Sequence, residues 1–362
     1  MPRIPLVDVR AQYAPLVPEL KDRFAEVLDA GVFILGPNVR AFEEEAAARL
    51  GVAHAIGVAN GTDALVLVLQ AMEIGAGDEV LCPAFTFYAT AEAIGRCGAT
   101  PVFCDIDPVT LNLDPKDVAR RITKRTRAIM PVHLFGRPAA LDDLAALGLP
   151  IVEDAAQAFG APGVAATGIA STFSFFPTKN LFCLGDGGLV AARDADLAER
   201  IRMLRFHGSR DKRTFDYIGT NSRLDELQAA MLRLFLTRVD GWNAQRREAA
   251  ARYAELGLGE LCDLPADEPS HVYHMYVVRT PERERLSAAL SDAEVDHAAY
   301  YVTPLHLQPA FRDLGWDEGS LPETERAARE NLALPLWAGI DRETQARVVG
   351  AVRAAAAVGA AL

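Results

Sequence analysis

From about residue 40, short apolar runs alternate with stretches in which apolar residues recur at helical spacing. "HAIGVAN", "DEVLCPAF", "TPVFCDID", "RAIMPVHLF" and "LPIVEDAAQAFG" are typical of buried strands. Between them, "GTDALVLVLQAMEIG", "TFYATAEAIGRCG", "PKDVARRITKRT" and "LDDLAALG" have helical spacing. Earlier, "NVRAFEEEAAARLG" predicts a helix that ends at a glycine. This alternation predicts an α/β fold with a mostly parallel sheet covered by helices on both faces.

Near residue 240 the pattern changes. "LDELQAAMLRLFLTRVDGWNAQRREAAARYAELG" predicts a long connecting helix, "HVYHMYVVRT" a strand and "ERERLSAALSDAEV" another helix. We therefore predict an N-terminal arm at 1–30, a large α/β domain at 31–240, and a small C-terminal α+β domain at 241–362. In parallel sheets, ligands bind beyond the carboxyl ends of the strands, so residues that follow strands are the candidates for a site.

Composition excludes several classes of protein. The chain has 362 residues, is 50% hydrophobic and carries 37 Lys+Arg against 49 Asp+Glu, and no basic block predicts a nucleic-acid partner. The five cysteines form no C-x-x-C pair, and no secretory signal stands out, so we expect a cytoplasmic protein. The histidine spacing predicts no metal site, and no apolar run is long enough to span a membrane. The tail "ARVVGAVRAAAAVGAAL" predicts an amphipathic helix.

The stretch "STFSFFPTKNLFCLGDGGLV" contains a single lysine, Lys179, among aromatic and small residues. A lysine in an apolar pocket loses part of its preference for the charged form. A neutral amine is a nucleophile that forms a Schiff base with an aldehyde, which is the chemistry that pyridoxal 5′-phosphate (PLP) uses. PLP also requires an acidic partner for its ring nitrogen and a phosphate-binding cradle.

Residues of the required types follow the predicted strands. Asp154, after an apolar strand, could keep a pyridine nitrogen protonated, or it could simply cap the next helix. Gln157 could bond the ring hydroxyl or lie in a solvated turn. Phe87 could stack on the ring or pack in the core. The glycines of "GDGG" allow a sharp turn that positions the lysine loop.

A glycine turn opens the helix after the first strand, in "VANGTDAL". Gly61, Thr62 and Asp63 would present backbone N–H groups at the positive end of that helix, which is a ready anion site. Ser174 lies five residues before Lys179 and could add a hydroxyl group. Each of these features is common in proteins by itself, and their combination is what predicts a phosphate cradle.

Ordered motifs along nearly the whole chain resemble the DegT/StrS family of PLP-dependent sugar aminotransferases, which have fold type I, like aspartate aminotransferase. The motifs are "VFILGPNVRAFEEEAA", "GVANGTDAL", "PAFTFYATAEAI", "IVEDAAQAFGA", "SFFPTKNLFCLGDGG", "GTNSRLDELQAA" and "PLHLQPAF". The resemblance implies a central sheet of the seven-stranded type. It also implies an enzyme that moves an amino group from glutamate to a nucleotide-linked keto-sugar, with pyridoxamine 5′-phosphate as the intermediate form of the cofactor.

The resemblance also assigns roles to individual positions. Lys179 matches the Schiff-base lysine and would act as general base and acid. Residues that match cofactor contacts are Asp154, Gln157, Phe87, Thr62, Ser174, Gly61 and Asp63. Asn221 matches an asparagine that reaches the phosphate of the neighbouring subunit's cofactor, which implies a homodimer with shared active sites.

Substrate contacts are less well defined. Arg223 could contact the nucleotide-sugar or form a salt bridge with nearby Asp225 or Glu226. His306 could also contact the nucleotide-sugar, or it could be a loop histidine whose hydrogen bonds are satisfied within the protein. Tyr301, with Tyr300, could line the mouth of the site. His207 and Arg210 lie on a loop that could close over the site or be a solvated connection.

Several features bear on the alternative functions. Family members with histidine at the lysine position catalyse dehydration, so Lys179 favours transamination. Two departures from the family pattern leave the substrate open: Thr220, where many members carry an aromatic residue, and the apolar "NLFCLGDGG" loop. The amino acceptor is either C3 of a dTDP-linked keto-hexose or a keto-cyclitol. A non-catalytic regulator would not need the intact site. A nicotinamide-dependent oxidoreductase would require a G-x-G-x-x-G turn, which is missing after the first strand.

Overall fold

The computed structural model describes residues 2–359. Within that range the α-helices, α1 to α13 in chain order, span Val9–Tyr13, Val17–Ala30, Pro37–Leu50, Gly61–Ala71, Ala89–Arg96, Pro115–Arg121, Leu141–Ala145, Ala195–Leu204, Glu226–Leu236, Val239–Glu255, Arg283–Asp292, Pro322–Glu330 and Arg342–Gly359. The strands, β1 to β9, span His54–Val58, Glu79–Pro83, Thr100–Cys104, Thr126–Ile129, Val152–Asp154, Ala170–Ser174, Gly188–Ala192, Tyr276–Arg279 and Asn331–Leu334.

The central sheet is mostly parallel. The order β3-β2-β4 forms one wholly parallel group, and the order β5-β6-β7-β1 forms a second, mixed group. Two parallel bridges, Ile129 with Ile151 and Val132 with Asp154, join β4 to β5. Of these seven strands, β7 alone runs in the opposite direction, so its pairs with β6 and β1 are antiparallel. The sequence-based prediction of a mostly parallel seven-stranded sheet is confirmed.

Hydrophobic clusters cover both faces of this sheet. On one face, α4, α5 and α8 pack in a single buried cluster. On the other face, α3, α9 and α10 pack with Phe173, Phe175 and Phe182. The apolar run Leu65–Leu69 is buried throughout, which explains why α4 has no polar stripe. Two covered faces account for the near-continuous apolar composition of the strands.

The C-terminal part forms a smaller layer in which β8 pairs antiparallel with β9 and packs against α11 and α13. The N-terminal arm joins this layer through a parallel bridge between Ile4 and Val295. The boundary at 240/241 remains a prediction, and it falls just inside α10.

Two predicted elements differ from the structure. The long connecting helix is two helices, because α9 ends at Leu236 and α10 begins at Val239. The strand predicted at 271–280 begins only at Tyr276. Tyr273 has a positive φ of 44°, which interrupts the extended backbone before Tyr276.

The predicted C-terminal helix forms as α13, Arg342–Gly359, while positions 360–362 of the tail lie outside the described residues. Within the described part of the chain, no helix combines the length and the apolar character that crossing a membrane would require.

Candidate active site

A cavity of about 770 Å³ opens where the parallel strands of the central sheet end. Asp154 is the last residue of β5 and Ser174 the last of β6, while α4 follows β1 and α5 follows β2. The structure brings together at this cavity most of the residues that the sequence singled out: Gly61, Thr62, Asp63, Phe87, Asp154, Gln157, Ser174, Lys179, Tyr300 and Tyr301.

The start of α4 forms an anion cradle with the end of β6. A Cβ atom at Gly61 would lie 2.7 Å from Cβ of Ser174, so only glycine allows the helix end this close to Ser174. The first N–H groups of a helix have no partner within it, which leaves those of Gly61 and Thr62 for a ligand. The N–H of Asp63, by contrast, donates to Oδ1 of Asn60 at 2.8 Å. The backbone N–H of Asp63, which the sequence predicted as a phosphate donor, is therefore already bonded to the N-cap residue Asn60.

Asp154 places a carboxylate in the floor of the cavity. Its side chain is buried, and Thr90 Oγ1 donates to its Oδ2 at 2.8 Å, while the N–H of Ala156 donates to Oδ1 at 3.2 Å. Burial raises the pKa of Asp154, and the Thr90 hydrogen bond and the charge of Lys179 oppose that rise. The carboxylate therefore favours a positively charged partner on the cavity side.

A buried pair directly behind Asp154 fixes the strand ends. His133 Nε2 lies 2.9 Å from Oε2 of Glu153, and the N–H of Ala139 donates to Nδ1 of His133. Glu153 also accepts hydrogen bonds from the N–H groups of Ala165 and Gly168. Since Nδ1 accepts, the ring proton lies on Nε2 and is donated to Glu153. These bonds hold the residue next to Asp154 in place.

Gln157 has an amide group whose orientation is set by its partners. Its Oε1 accepts from the N–H of Phe135 at 2.7 Å, and its Nε2 donates to the hydroxyl of Tyr301 at 3.2 Å. The amide therefore presents N–H donors to the cavity, as a contact to a ring hydroxyl oxygen requires. Phe87 is 57% exposed beside the same tyrosine, with ring centroids 6.2 Å apart, and forms the mouth of the cavity.

Lys179 lies on the loop between β6 and β7, which is held at both sides. Its N–H donates to the carbonyl of Phe176 at 2.8 Å, and the next residue, Asn180, donates to the carbonyl of Val272 at 2.9 Å. Burial lowers the pKa of Lys179 to about 8, although the charge of Asp154 opposes the change. With that pKa, about a tenth of the amine is neutral at pH 7.

We expect this shift to be measurable by acylation of the lysines in the cofactor-free protein, followed by mass spectrometry. The rate at Lys179 should rise with pH and reach half its maximum near pH 8, because only the neutral amine reacts. In the Asp154→Asn variant the midpoint should move to lower pH, since the carboxylate that stabilises the ammonium is gone. Asp186→Asn, on the same cavity wall, should leave the midpoint unchanged; a midpoint insensitive to Asp154 would contradict the assigned electrostatics.

Three predicted residues do not line the cavity of the single chain. Asn221 is exposed and pairs through its backbone with Phe206, and the Arg223 guanidinium lies 5.9 Å from the centroid of the Phe206 ring. His306 is 1% exposed, and its Nε2 lies 3.2 Å from Oε1 of Glu325. The structure thus places His306 in a buried segment, beside Glu325 and outside the residues that line the cavity.

The loop that carries His207 and Arg210 is exposed, and Arg210 pairs with Glu199 at 2.8 Å. Closure over the cavity remains a prediction for this loop.

Sequence reasoning missed other residues that surround the cavity. Thr90 holds Asp154, and His274 and Arg96 lie on the cavity wall. Thr90 could have been found from its position at the start of the helix after β2. His274 had no such signal, because it stands in a segment that was interpreted as a regular strand.

Comparisons with known proteins agree with this geometry. The DegT/DnrJ/EryC1/StrS aminotransferase family matches residues 16–353. A "Pleiotropic regulatory protein" of Geobacillus stearothermophilus is 46% identical over 359 residues, covering 96% of each chain. The dTDP-3-amino-3,4,6-trideoxy-alpha-D-glucose transaminase of Streptomyces venezuelae is 44% identical over 365 residues, covering 97% of this chain and 96% of that protein. The crystal structure of DesV from S. venezuelae in complex with a ketimine intermediate superposes with a TM-score of 0.94 at 45% identity, covering 98% of each chain.

Proposed function

The chain belongs to the DegT/DnrJ/EryC1/StrS aminotransferase family, and from this premise we propose that it is a PLP-dependent enzyme that moves an amino group from glutamate to a nucleotide-linked keto-sugar. The observation that carries the proposal is one cavity in which a lysine of lowered pKa, a buried carboxylate and a glycine-opened anion cradle lie together.

The residues present fit PLP. The phosphate group would bind at the start of α4, with the N–H groups of Gly61 and Thr62 and the hydroxyl of Ser174, whose oxygen accepts from the N–H of Phe176 and so leaves its proton free to donate. Asp154 would pair with the protonated ring nitrogen, which is the cation its buried carboxylate favours. Gln157 would donate to the ring hydroxyl oxygen.

When bound, PLP supplies an electron sink for the carbon that loses its proton and carries the amino group between the half-reactions. Lys179 contributes an amine that holds the cofactor and then moves the proton as general base and acid. Asp154 would keep the ring nitrogen protonated, because its carboxylate would stabilise the positive charge that the proton brings. Phe87 and Tyr301, whose rings lie side by side at the cavity, would narrow its mouth and restrict the entry of water.

We further propose a homodimer with shared sites and a cytoplasmic location. Consecutive apolar residues Val32, Phe33 and Ile34 are each more than 40% exposed, and Ile218, close to Asn221 in sequence, is 97% exposed. Apolar surface of this kind is typical of an interface between copies of a chain. In the reducing cytoplasm the five cysteines, which are free thiols in the structure, would remain so.

Mixing two inactive variants tests whether Asn221 acts across the interface. If Asn221 contacts the phosphate in the partner subunit, then Asn221→Ala and Lys179→Ala should each lose activity, and their heterodimer should contain one intact site. Co-refolding or co-expression at equal amounts is expected to restore about a quarter of wild-type activity, because about half of the dimers are mixed and each has one working site.

As the control, the two variants carry different affinity tags, so that the mixed dimer can be separated from the two homodimers. Activity should be found in the mixed dimer alone. Absence of any restored activity, with both variants dimeric by light scattering, would place Asn221 in its own subunit's site, and an Asn221→Ala variant that is active by itself would place it outside catalysis.

The sugar is proposed by similarity, since the transaminase relative from Streptomyces venezuelae is named for an amino group at C3 of a dTDP-linked hexose. We propose C3 of a dTDP-keto-hexose as the acceptor, with a keto-cyclitol as the alternative. The pyridoxamine form of the protein, offered a panel of keto-sugar nucleotides and cyclitols, should return to the PLP form fastest with its own acceptor.

The first test of the function is the half-reaction with glutamate. Adding glutamate to the PLP-loaded protein should remove the visible absorbance of the Lys179–cofactor linkage and produce 2-oxoglutarate. The relative named as a regulatory protein makes a non-catalytic regulator the competing candidate. Persistent absorbance with glutamate, glutamine and other amino donors would favour the regulator.

A further inference from the structure

Arg246, on α10, is a fully buried cation without an acidic partner. Its side chain is 0% exposed, and no carboxylate of the described chain pairs with it. Burial lowers the pKa of Arg246 to about 10, so the guanidinium keeps its charge at pH 7. A buried charge is costly unless hydrogen bonds compensate it. The oxygen atoms that accept from this guanidinium are therefore coupled to it and to one another.

Three oxygen atoms accept hydrogen bonds from Arg246, and they come from two distant parts of the chain. Nη1 donates to the carbonyl oxygens of Tyr273 at 3.2 Å and of His274 at 3.4 Å. Nη2 donates to Oε1 of Gln12, in the N-terminal arm, at 3.0 Å. Gln12 is itself buried, with 6% of its surface exposed. The arm thus supplies one of the three acceptors of a buried charge.

The other two acceptors belong to residues 272–275, called here the wall segment, because His274 and Met275 line the active-site cavity. This segment is not a regular strand, since Tyr273 has a positive φ of 44°. A Cβ atom at Gly136 would lie 2.8 Å from the nitrogen of His274, so the segment packs directly against the Gly136 loop. An irregular backbone of this kind keeps its shape only through the tertiary contacts around it.

The wall segment is also tied to the loop of Lys179. Asn180, directly after Lys179, donates from Nδ2 to the carbonyl oxygen of Val272 at 2.9 Å. The same group donates at 2.7 Å to Oδ1 of Asn243, three residues before Arg246 on α10. The lysine loop, the wall segment and α10 therefore form one hydrogen-bonded unit behind the cavity.

The arm meets the cavity wall at a second point. Leu6 packs against the hydrophobic cluster that also takes in Met275, Tyr300 and Tyr301, and these three residues line the cavity. Together with the bridge at Ile4, this contact fixes the arm before the chain reaches Gln12. The arm is therefore placed to support this side of the cavity from behind.

We propose that Gln12 is a positioning residue for the active site, which holds the wall segment, and through it the loop of Lys179, by completing the hydrogen bonds of Arg246. The inference rests on the proposed function, because the exact position of the Lys179 amine matters only if that amine transfers a proton. A misplacement of about 1 Å at a reacting group costs about 100-fold in rate. The N-terminal arm is then a working part of the active site.

Variants at Gln12 and at a second buried glutamine test this role. Gln12→Leu removes the acceptor, Gln12→Glu restores one of the same shape, and Gln12→Asn withdraws the amide and should act like Leu in weaker form. Gln345→Leu is the matched control, because Gln345 is also buried and its Oε1 accepts from Arg252, another arginine of α10, outside the cavity lining. Both leucine variants should lose stability by comparable amounts, since each leaves an arginine short of an acceptor.

The first readout is amide hydrogen exchange in the cofactor-free protein, followed by mass spectrometry. In Gln12→Leu the wall segment and the lysine loop should exchange about tenfold faster, because loss of a hydrogen bond to a charged group makes local opening easier. In Gln12→Glu and Gln345→Leu these two segments should exchange as in the wild type. Unchanged exchange of the wall segment in Gln12→Leu would overturn the proposal.

The second readout separates positioning from a general loss of stability. In the loaded protein Gln12→Leu should lower kcat of the glutamate half-reaction by about 10- to 100-fold and change KM by less than about threefold, because the amine is misplaced while donor binding is retained. Gln12→Glu should recover most of the kcat, and Gln345→Leu should match the wild type. An equal loss of kcat in Gln345→Leu, or a Gln12→Glu variant no more active than Gln12→Leu, would refute the positioning role.

The two proposals can fail separately. A wild-type protein that ignores every amino donor, yet shows faster exchange of the wall segment in Gln12→Leu, would refute the aminotransferase function and leave the link between arm and cavity intact. A wild-type protein that transaminates, with neither exchange nor kcat altered in Gln12→Leu, would refute the role of Gln12 alone.

Discussion

Replacing Lys179 with alanine is expected to abolish transamination while the protein still folds. Lys179 is the only lysine among the residues that line the described cavity. Loss of a general acid–base group costs about 10²–10⁴ in rate, and the attachment of the cofactor is lost as well. We therefore expect no turnover above background in a single-turnover assay with glutamate and the keto-sugar nucleotide.

Lys116→Ala, at an exposed position of helix α6, provides the matched control, and its turnover should equal that of the wild type. A Lys179→Ala protein that still converts the donor would mean that the amine has been assigned the wrong role, whatever the family.

The same lysine should also affect stability in the cofactor-free protein. Its pKa falls from the ordinary value of 10.5 to about 8 on folding, so between these values the unfolded chain binds a proton that the folded chain does not. Stability from this group therefore rises as pH increases from about 8 to about 10.5, and the full cost of the buried ammonium is present below pH 8. Lys179→Met should stabilise the protein at pH 7 by up to about 3 kcal/mol, since each pKa unit is worth about 1.4 kcal/mol.

Thermal unfolding of wild type and Lys179→Met over this pH range would measure the effect. The difference in melting temperature should be largest below pH 8 and shrink toward pH 10.5, and a difference that does not depend on pH would assign it to packing instead.

Asp154→Ala and Asp154→Asn are expected to lose activity by about 10²–10⁴, because an uncharged side chain cannot keep the ring nitrogen of the cofactor protonated. The Asn variant is the sharper test, since an amide has nearly the same shape and can still accept from Thr90. The loss should be found in kcat of the glutamate half-reaction, because the residues proposed to bind the phosphate group are unchanged in both variants.

Thr90→Val is the matched control for the surroundings of Asp154. It removes one hydrogen bond to the carboxylate and keeps the charge, so its loss should be much smaller than that of Asp154→Asn. An Asn variant that retains activity within tenfold of wild type would show that the carboxylate charge is not used in catalysis.

The parts of the site predicted best from the sequence are those that follow strands. Asp154, Ser174 and the Gly61 turn each come directly after an apolar run, and the parallel sheet brings these strand ends to one edge. Their convergence follows from topology that apolar periodicity already encodes. The lysine loop was recognisable because a lysine among aromatic residues is unusual.

The residues that sequence missed depend on contacts between distant segments. His274 reaches the cavity because Gly136 and Arg246 bend its segment away from a strand, and no local pattern announces that bend. The sequence left two interpretations of His306 open for the same reason, since its hydrogen-bond partner Glu325 lies in a distant segment, on α12. Side-chain pairing across the chain is set by packing, which a single sequence does not display.

The pairing of β1 with the reversed strand β7 has a consequence for synthesis of the chain. Val58 and Gly188, which face each other at the strand ends, are 130 positions apart in the sequence. During synthesis on the ribosome, β1 therefore has no strand partner until β7 has emerged. Contacts this distant in sequence also form slowly. Ser174 and Gly61 meet only after the intervening strands are in place, so capture of the cofactor should report completed folding of the whole sheet.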